Sequence, residues 1–559
     1  MDTERTSPTS TTVADYLVRR LKEHGVDHLF GVPGDFALSL FEHFADTDLQ
    51  IVNTCDEQGA GFAADAYARI RGLGAVCVTY GVGGLKIANS TAQALAEDVP
   101  VVVISGAPSL FQRASGQLLH HVINGFDNQH RVFEHLTVAS TVIDDPSLAC
   151  REIDRVIDAA LTRKGPVYIE IPRDMTHAEV TPGSFAAATS PRMRDEATLA
   201  AAVADAASML AVARQPAVFV GLEPVRLRLM EQTERLIERH SLPFFVTLLS
   251  KSALSEQHPC FCGVYGGAMS RRPVRDYVDS SDCLLMLGSL LSDISFGGNP
   301  AQLPVERMIL VGLDKVRVAH RTYEHVDFAD FLEALSTVDL PDYSHVAKPV
   351  QPAPTEQWVA NSSEPITVSR LFERLALFMD DDTVVIADPG DATFGAHDLP
   401  VRKDHEFLAN AFYASLGFAV PASIGAQLAA PNRRPLVLVG DGAFQMTSME
   451  LSTSLRYGLN PIVVILNNEG YLTERLLTDG SFNDVLPWRY AKLPELFGGG
   501  KSFVVKTEED LERALTTARA SYELCIIEVH LAKFDSSPAL KRLTEGLNAQ
   551  ARVVSSSSR

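Results

Sequence analysis

Gly440-Asp441-Gly442 follows the apolar run Pro435 to Val439, and Asn467-Asn468-Glu469-Gly470 closes the apolar run Ile462 to Leu466. Two runs of strand length separated by a segment of helix length predict a βαβ unit. Its parallel strands are neighbours, so both ends emerge at one carboxyl edge, where α/β sheets hold ligands. Asp441, Asn468 and a backbone carbonyl near Gly470 would meet there. They are hard oxygen ligands, few in number, which suits a Mg²⁺ ion that also contacts phosphate. The helix expected after Gly442, through Met449, Leu451 and Leu455, offers N–H groups and a dipole to a diphosphate, worth roughly 0.3–1 kcal/mol per exposed charge. Gly442 is expected to let the backbone approach that anion. Taken alone, Gly-Asp-Gly reads more readily as a tight turn with a capping carboxylate.

Three further groups could move protons. Asp35 ends Gly31-Val32-Pro33-Gly34-Asp35, a turn after a short strand through Leu29 and Phe30. Glu57 stands at the start of a helix of small residues, Gly59 to Arg71, that follows the strand-like Ile51-Val52-Asn53-Thr54. Its ordinary role there would be a helix-start charge. His120 and His121 are adjacent in a loop, without Cys or Glu at ligand spacing, so proton transfer fits them better than metal binding.

The elements that must position these residues alternate strand and helix. Thr12 to Asp15 reads as a capping box opening a helix, with strands at Ala75–Thr79, Pro100–Ser105 and Val167–Ile171 and a helix over 88–96. Pro100–Ser105 reads as a fully apolar strand, as strands in parallel sheets covered on both faces are. Residues 181–191 and 348–361 have linker composition. They divide the chain into three α/β domains with doubly wound parallel sheets, 1–185, 196–345 and 362–559. The middle stretch, with strands near 217–220, 244–247, 283–287 and 308–311, shows no clustering of titratable residues and is expected to be structural or regulatory. Residues 1–10 and Ser555 to Ser558 are expected to be disordered tails.

The 49 basic and 70 acidic side chains among 559 residues leave a net charge of −21, which argues against nucleic-acid and membrane partners. No leader-like apolar segment and no membrane-length apolar run occur, so a cytoplasmic protein is expected. Seven scattered cysteines without a Cys-x-x-Cys pair are expected to be reduced, mostly buried thiols, and Cys260-x-Cys262 lacks the partners for zinc.

Taken together, Gly-Val-Pro-Gly-Asp at 31–35, Glu57, Leu-Leu-His-His at 118–121, Gly-Asp-Gly at 440–442, Asn-Asn-x-Gly-Tyr at 467–471 and Glu474 resemble the thiamine diphosphate-dependent 2-oxo acid decarboxylases, the group of pyruvate, indolepyruvate and phenylpyruvate decarboxylases. The resemblance implies a thiamine diphosphate-binding fold with an N-terminal pyrimidine domain, a middle domain and a C-terminal diphosphate domain. It implies Mg²⁺ on Asp441, Asn468 and Gly470. Cofactor contacts would come from Glu57, Asp391, Ala392, Ala414, Leu416, Gly440, Asp441, Gly442, Ala443, Asn468, Gly470 and Tyr471. Glu57 of one subunit would hydrogen-bond the aminopyrimidine ring of a cofactor whose diphosphate sits on another subunit, so the chain would be a homodimer or a homotetramer. Leu416 would hold that cofactor bent. Asp35, Glu57, His120, His121 and Glu474 would be the catalytic set, acting on a small 2-oxo acid to release CO₂ and an aldehyde.

Thr393, Thr473 and Leu477 would line the substrate pocket. The first two match positions where pyruvate decarboxylases carry a Trp and a bulky aliphatic, which favours an arylpyruvate or a branched 2-oxo acid. Two features depart from the pyruvate-specific pattern. The acid stands in Asp56-Glu57-Gln58-Gly59 where those enzymes have Asn-Glu-Leu-Asn, and the run Gly440 to Thr447 is closer to phenylpyruvate decarboxylases, while Glu474 is of the pyruvate and indolepyruvate type. Pyruvate decarboxylation, carboligation onto a second aldehyde and a non-catalytic binding role stay open as alternatives.

Overall fold

The structure is a computed structural model, and it describes residues 10–182, 195–295, 303–351, 357–361, 364–401 and 406–546. The chain divides into two compact units. One comprises residues 1–191 with 420–431 and 447–459; the other comprises 192–419, 432–446 and 460–559. Parallel α/β sheets lie within each of the three stretches expected from sequence, but two segments of the last stretch pack with the first. The expected tails at 1–9 and 555–558, and most of the 181–191 linker, lie outside the described residues. No helix among the described residues is long and apolar enough to cross a membrane.

In the N-terminal unit, six parallel strands lie in the order Gln50–Asn53, His28–Gly31, Gly74–Val78, Val101–Ala107, Val167–Pro172 and Ala139–Val142. Gly74–Val78 and Val101–Ala107 are buried at every residue, as strands covered on both faces must be. Thr12 and Asp15 form the expected capping box on the helix Val13–Glu23. The helix Glu57–Arg71 carries alanines where another backbone comes close. A Cβ on Gly425 would lie 1.8 Å from the Ala63 carbonyl oxygen, so the helix Ala419–Ala429 can pack there only without a side chain.

The second unit holds two sheets. Phe261–Val264, Phe244–Val246, Pro216–Val220, Cys283–Leu287 and Met308–Gly312 are parallel, and Lys315–Val318 and Arg321–Glu324 add an antiparallel edge. The sequence reading gave a wholly parallel sheet, because these edge strands are short, half-exposed and charged. The other sheet has six parallel strands in the order Glu406–Ala409, Thr383–Ala387, Arg434–Gly440, Ile462–Asn467, Cys525–His530 and Lys501–Val505. Leu436 pairs with Ile462 and Gly440 with Leu466, the neighbouring strand ends expected.

The middle stretch is richer in titratable groups than its sequence suggested. Fully buried Lys251 pairs with Glu256 at 2.5 Å and donates to the His397 carbonyl at 3.3 Å, while Arg271 and Arg542 hold Asp398 at 3.2 and 2.7 Å. Residues some hundred positions apart build this cluster, so spacing in the sequence could not display it.

Candidate functional site

At the carboxyl edge of the N-terminal sheet, three proton-carrying side chains converge. His120 Nε2 lies 2.8 Å from Asp35 Oδ2, the His120 ring stacks on Phe36 at 4.9 Å, and the two histidine rings meet edge to face at 4.6 Å. The ligating atoms of Asp35, His120 and His121 lie within 4.8 Å of one another. His121 adopts φ 67°, a left-handed conformation that costs a non-glycine residue about 1 kcal/mol or more and marks functional loops. Its Nδ1 is buried without a partner. Asp35 and His120 remain 43% and 60% exposed, open to exchange protons with water.

Glu57 is the first residue of its helix, and Asp56 caps that helix through the Gln58 N–H at 2.8 Å. Lys86 Nζ lies 3.1 Å from the Glu57 carboxylate and also pairs with Asp56. Sequence reading missed both Lys86 and a second carboxylate, Glu450. Buried in the same unit, Glu450 accepts from the backbone N–H of Cys55 at 3.2 Å and of Asp56 at 3.0 Å, so it holds the turn from which Glu57 projects. Burial raises its pKa.

The other unit gathers the oxygen ligands. Asp441 begins the helix Asp441–Thr447, and its carboxylate accepts from the N–H of Gly442 at 2.8 Å and of Gly470 at 3.1 Å. Burial lifts its pKa to about 6. Asn468 is buried, and its Oδ1 has no protein partner. An orphaned buried oxygen just past the end of the strand that neighbours that of a desolvated carboxylate is the donor set a hard cation needs, so these residues fit Mg²⁺. Glu469 at φ 63° and Gly470 at φ 148° shape the loop. Arg475, fully buried and missed in the sequence, donates to the carbonyls of Asn468 and Glu469 and pairs with Asp484 at 2.7 Å. It therefore fixes the metal-side loop to the helix Leu472–Leu477 that carries exposed Glu474.

One sequence expectation changes here. The helix expected to run from Gly442 through Leu455 is two helices, Asp441–Thr447 and Glu450–Arg456. Bonds from Leu451 and Ser452 to carbonyls three residues back tighten the chain at the break, and the dipole behind Gly442 is that of two turns. The space at Gly442 is tight in any case, since a Cβ there would lie 2.5 Å from the Tyr471 ring. A Cβ on Gly440 would meet nothing within 4 Å.

The remaining candidates sit on neighbouring elements of this unit. Asp391, Ala392 and Thr393 form the first turn of the helix Asp391–His397. Thr393 is buried with its hydroxyl donated to the Asp388 carbonyl at 2.7 Å. Burial lifts Asp391 to about 6, and it accepts from the Ser537 N–H. Asp388, unmarked in the sequence, accepts from the N–H of Gly417 and Ala419 at 3.0 and 2.7 Å, holding the turn beside Leu416, and burial raises it to about 7. Ala414, in the same turn, has φ 57°. Ala443 is buried on the Asp441 helix, and Thr473 and Leu477 lie one turn apart on the Glu474 helix.

Comparison with known proteins places the whole chain in one family. Residues 11–130, 203–335 and 388–529 match the N-terminal thiamine pyrophosphate-binding domain, the central domain and the C-terminal thiamine pyrophosphate-binding domain of the thiamine pyrophosphate enzymes. The chain is 33% identical to an alpha-keto-acid decarboxylase of Mycobacterium ulcerans over 554 residues, covering 96% of each. It is 35% identical to an indole-3-pyruvate decarboxylase of Azospirillum brasilense over 541 residues, 96% of this chain and 98% of the relative. It is 33% identical to pyruvate decarboxylase 1 of Oryza sativa subsp. japonica over 555 residues, 96% of this chain and 91% of the relative. With all three domains in order and full-length relatives of this identity, the chain belongs to the thiamine diphosphate-dependent 2-oxo acid decarboxylase family.

Proposed function

We propose that this chain decarboxylates a 2-oxo acid without oxidation, using thiamine diphosphate and Mg²⁺, and that arylpyruvates or branched 2-oxo acids are better substrates than pyruvate. The observation that carries the reading is the Asp35–His120–His121 group, three proton carriers within 4.8 Å in a hydrated setting, as release of an aldehyde requires. When bound, thiamine diphosphate supplies the electron sink for loss of CO₂. Asp441 and Asn468, with the Gly470 carbonyl, hold Mg²⁺ against the diphosphate. Glu57 would hydrogen-bond the aminopyrimidine ring, and Leu416 would position the bound cofactor. Asp35, His120, His121 and Glu474 surround the substrate carboxylate and deliver the proton that replaces it, a contribution of about 10²- to 10⁴-fold per group.

The aryl preference rests on Thr393, Thr473 and Leu477 as pocket residues and is supported by the indole-3-pyruvate decarboxylase among the relatives. We assign residues 1–185 to the pyrimidine side, 196–345 to the middle domain and 362–559 to the diphosphate side. The smallest active unit is a dimer, because Glu57 serves a cofactor held by another copy.

Turnover of pyruvate, 3-methyl-2-oxobutanoate, phenylpyruvate and indolepyruvate, followed by aldehyde detection, tests the reading. Aldehyde from phenylpyruvate or indolepyruvate at the highest kcat/KM is expected. Acyloin in place of aldehyde would make the protein a carboligase, and no product from any acid would remove the decarboxylase reading. Light scattering on the active species tests the assembly, and an active monomer would overturn it.

A further inference from the structure

Behind the His120–His121 loop, within the N-terminal unit, lies a buried polar network that the proposed chemistry leaves unused. Glu170, fully buried on the strand Val167–Pro172, accepts from Arg113 Nη2 on one oxygen and from the Tyr168 hydroxyl on the other, both at 2.6 Å. The Tyr168 oxygen accepts from Gln129 Nε2 at 2.7 Å, which also donates to Ser105 Oγ at 2.8 Å, and Gln129 Oε1 accepts from the Gly81 N–H at 2.6 Å.

These bonds have one consistent direction. A backbone N–H can only donate, so the Gln129 carbonyl must face Gly81 and its amide must donate to Tyr168 and Ser105. Ser105 spends its proton on the Gly106 carbonyl at 2.9 Å, and Tyr168 is left to donate to residue 170. Arg113 also only donates. The network therefore asks for an acceptor on both oxygens at 170, which a carboxylate supplies and an amide does not.

What this carboxylate ties together is the setting of the histidines. Arg113 lies on the helix Leu110–Ala114 that enters the loop, and Gln129 lies in the first turn of the helix Asn128–Leu136 that leaves it. Gly81 lies beneath the loop, for a Cβ there would come within 2.2 Å of the His121 carbonyl oxygen. Both roots of the loop 115–127 and the turn it rests on are thus referred to one buried carboxyl group.

We infer that Glu170 is a positioning residue, a clamp that sets where His120 and His121 stand relative to Asp35. The inference rests on the reading of those three residues as proton carriers. Glu170→Gln keeps the shape but turns an NH₂ group toward Arg113 or Tyr168, placing donor against donor. In the full-length variant loaded with thiamine diphosphate and Mg²⁺, amide hydrogen–deuterium exchange across residues 115–127 should rise about tenfold, with peptides of residues 434–467 unchanged. The kcat for phenylpyruvate should fall about tenfold, the KM and the C2 proton exchange of the bound cofactor staying within about twofold, because Glu57 is untouched. Arg113→Met, which frees only the entering root at a partly exposed side chain, should give the same pattern at smaller amplitude and guards against a Glu170 variant that fails to fold. Unchanged loop exchange in the variants that fold, or a C2 exchange rate that falls in step with kcat, would overturn the clamp. If the wild-type chain makes no aldehyde, the decarboxylase reading fails separately, and loop exchange still decides whether Glu170 holds the loop.

Discussion

The first and last sheets have one topology and two chemistries. Numbered along the chain within each sheet, both place their strands in the order second, first, third, fourth, sixth, fifth. The loops after the first four strands therefore correspond in pairs. In the N-terminal sheet these loops carry Asp35, Glu57, the Gly81 turn and His120–His121; in the last they carry Asp388 with Asp391, Leu416, Asp441 and Asn468. In the first set Asp35 and His120 are about half exposed, while Glu57 is only 13% exposed. Asp388, Asp391, Asp441 and Asn468 are each buried. The shared topology supplies ligand positions at the carboxyl edge. Burial then divides the labour: water-exposed groups can take up and return protons, while desolvated oxygens gain by giving their lone pairs to a cation.

The largest expected effect is a clean separation of the two halves. Asp441→Ala should weaken thiamine diphosphate binding in Mg²⁺ by about 10²-fold or more by calorimetry, since the charged ligand is lost and Asn468 keeps only neutral company. The protein should stay folded, because the carboxylate it loses was itself costly to bury. Undiminished binding would remove Asp441 from the metal site. Glu57→Gln on the opposite sheet should do the reverse. Cofactor affinity should change by less than about threefold, while proton exchange at C2 of the bound cofactor, followed by NMR, slows by about 10²-fold or more. Wild-type exchange in that variant would hand the role to another group.

A smaller effect distinguishes the halves by pH. Asp388 has a folded-state pKa of about 7, raised by burial, against about 3.9 for an unfolded Asp. The folded state thus holds a proton that the unfolded state has released, so this contribution to stability is complete below about pH 4 and is lost as pH rises through about 7. Between pH 5 and pH 8 the wild type should lose about 2–3 kcal/mol more stability than Asp388→Asn in urea unfolding, about 1.4 kcal/mol for each pH unit up to about 7. A pH-independent difference between the two proteins would show Asp388 ionised throughout.

Sequence made visible what is local. The buried strands Gly74–Val78 and Val101–Ala107, the Thr12 capping box, the paired ends at Asp441 and Asn468 and the start of the Glu57 helix all follow from runs and spacings a few residues long. The strand Ala139–Val142 and the helix Pro146–Arg163 escaped notice, the first because a short half-buried edge strand has weak patterning. The supporting carboxylates and guanidinium escaped for another reason. Glu450 reaches Cys55 across 395 positions, Glu170 reaches Arg113 across 57, and Arg475 matters through backbone carbonyls that carry no side-chain signature. Residues that touch a ligand announce themselves by type, whereas those that hold the first set in place need the fold to bring them near.

The smallest effect concerns substrate choice. Thr393, one of the pocket candidates, is buried with its hydroxyl bonded to the Asp388 carbonyl, so enlarging it would test packing before it tested the pocket. Thr473 is the better probe. It is only partly buried, its hydroxyl has no partner, and it stands one position before Glu474 and one turn before exposed Leu477. Replacing Thr by Leu exchanges an unpaired hydroxyl for a larger apolar end at little cost to the helix, since Leu is the better helix former. A methylene-sized change in an apolar pocket shifts discrimination by about 1–3 kcal/mol, so Thr473→Leu should lower kcat/KM for phenylpyruvate about tenfold relative to pyruvate. The ratio is the measurement, because loss of fold or of cofactor would depress both substrates alike. An equal fall on both would place Thr473 outside the substrate pocket and leave the aryl preference without one of its three supports.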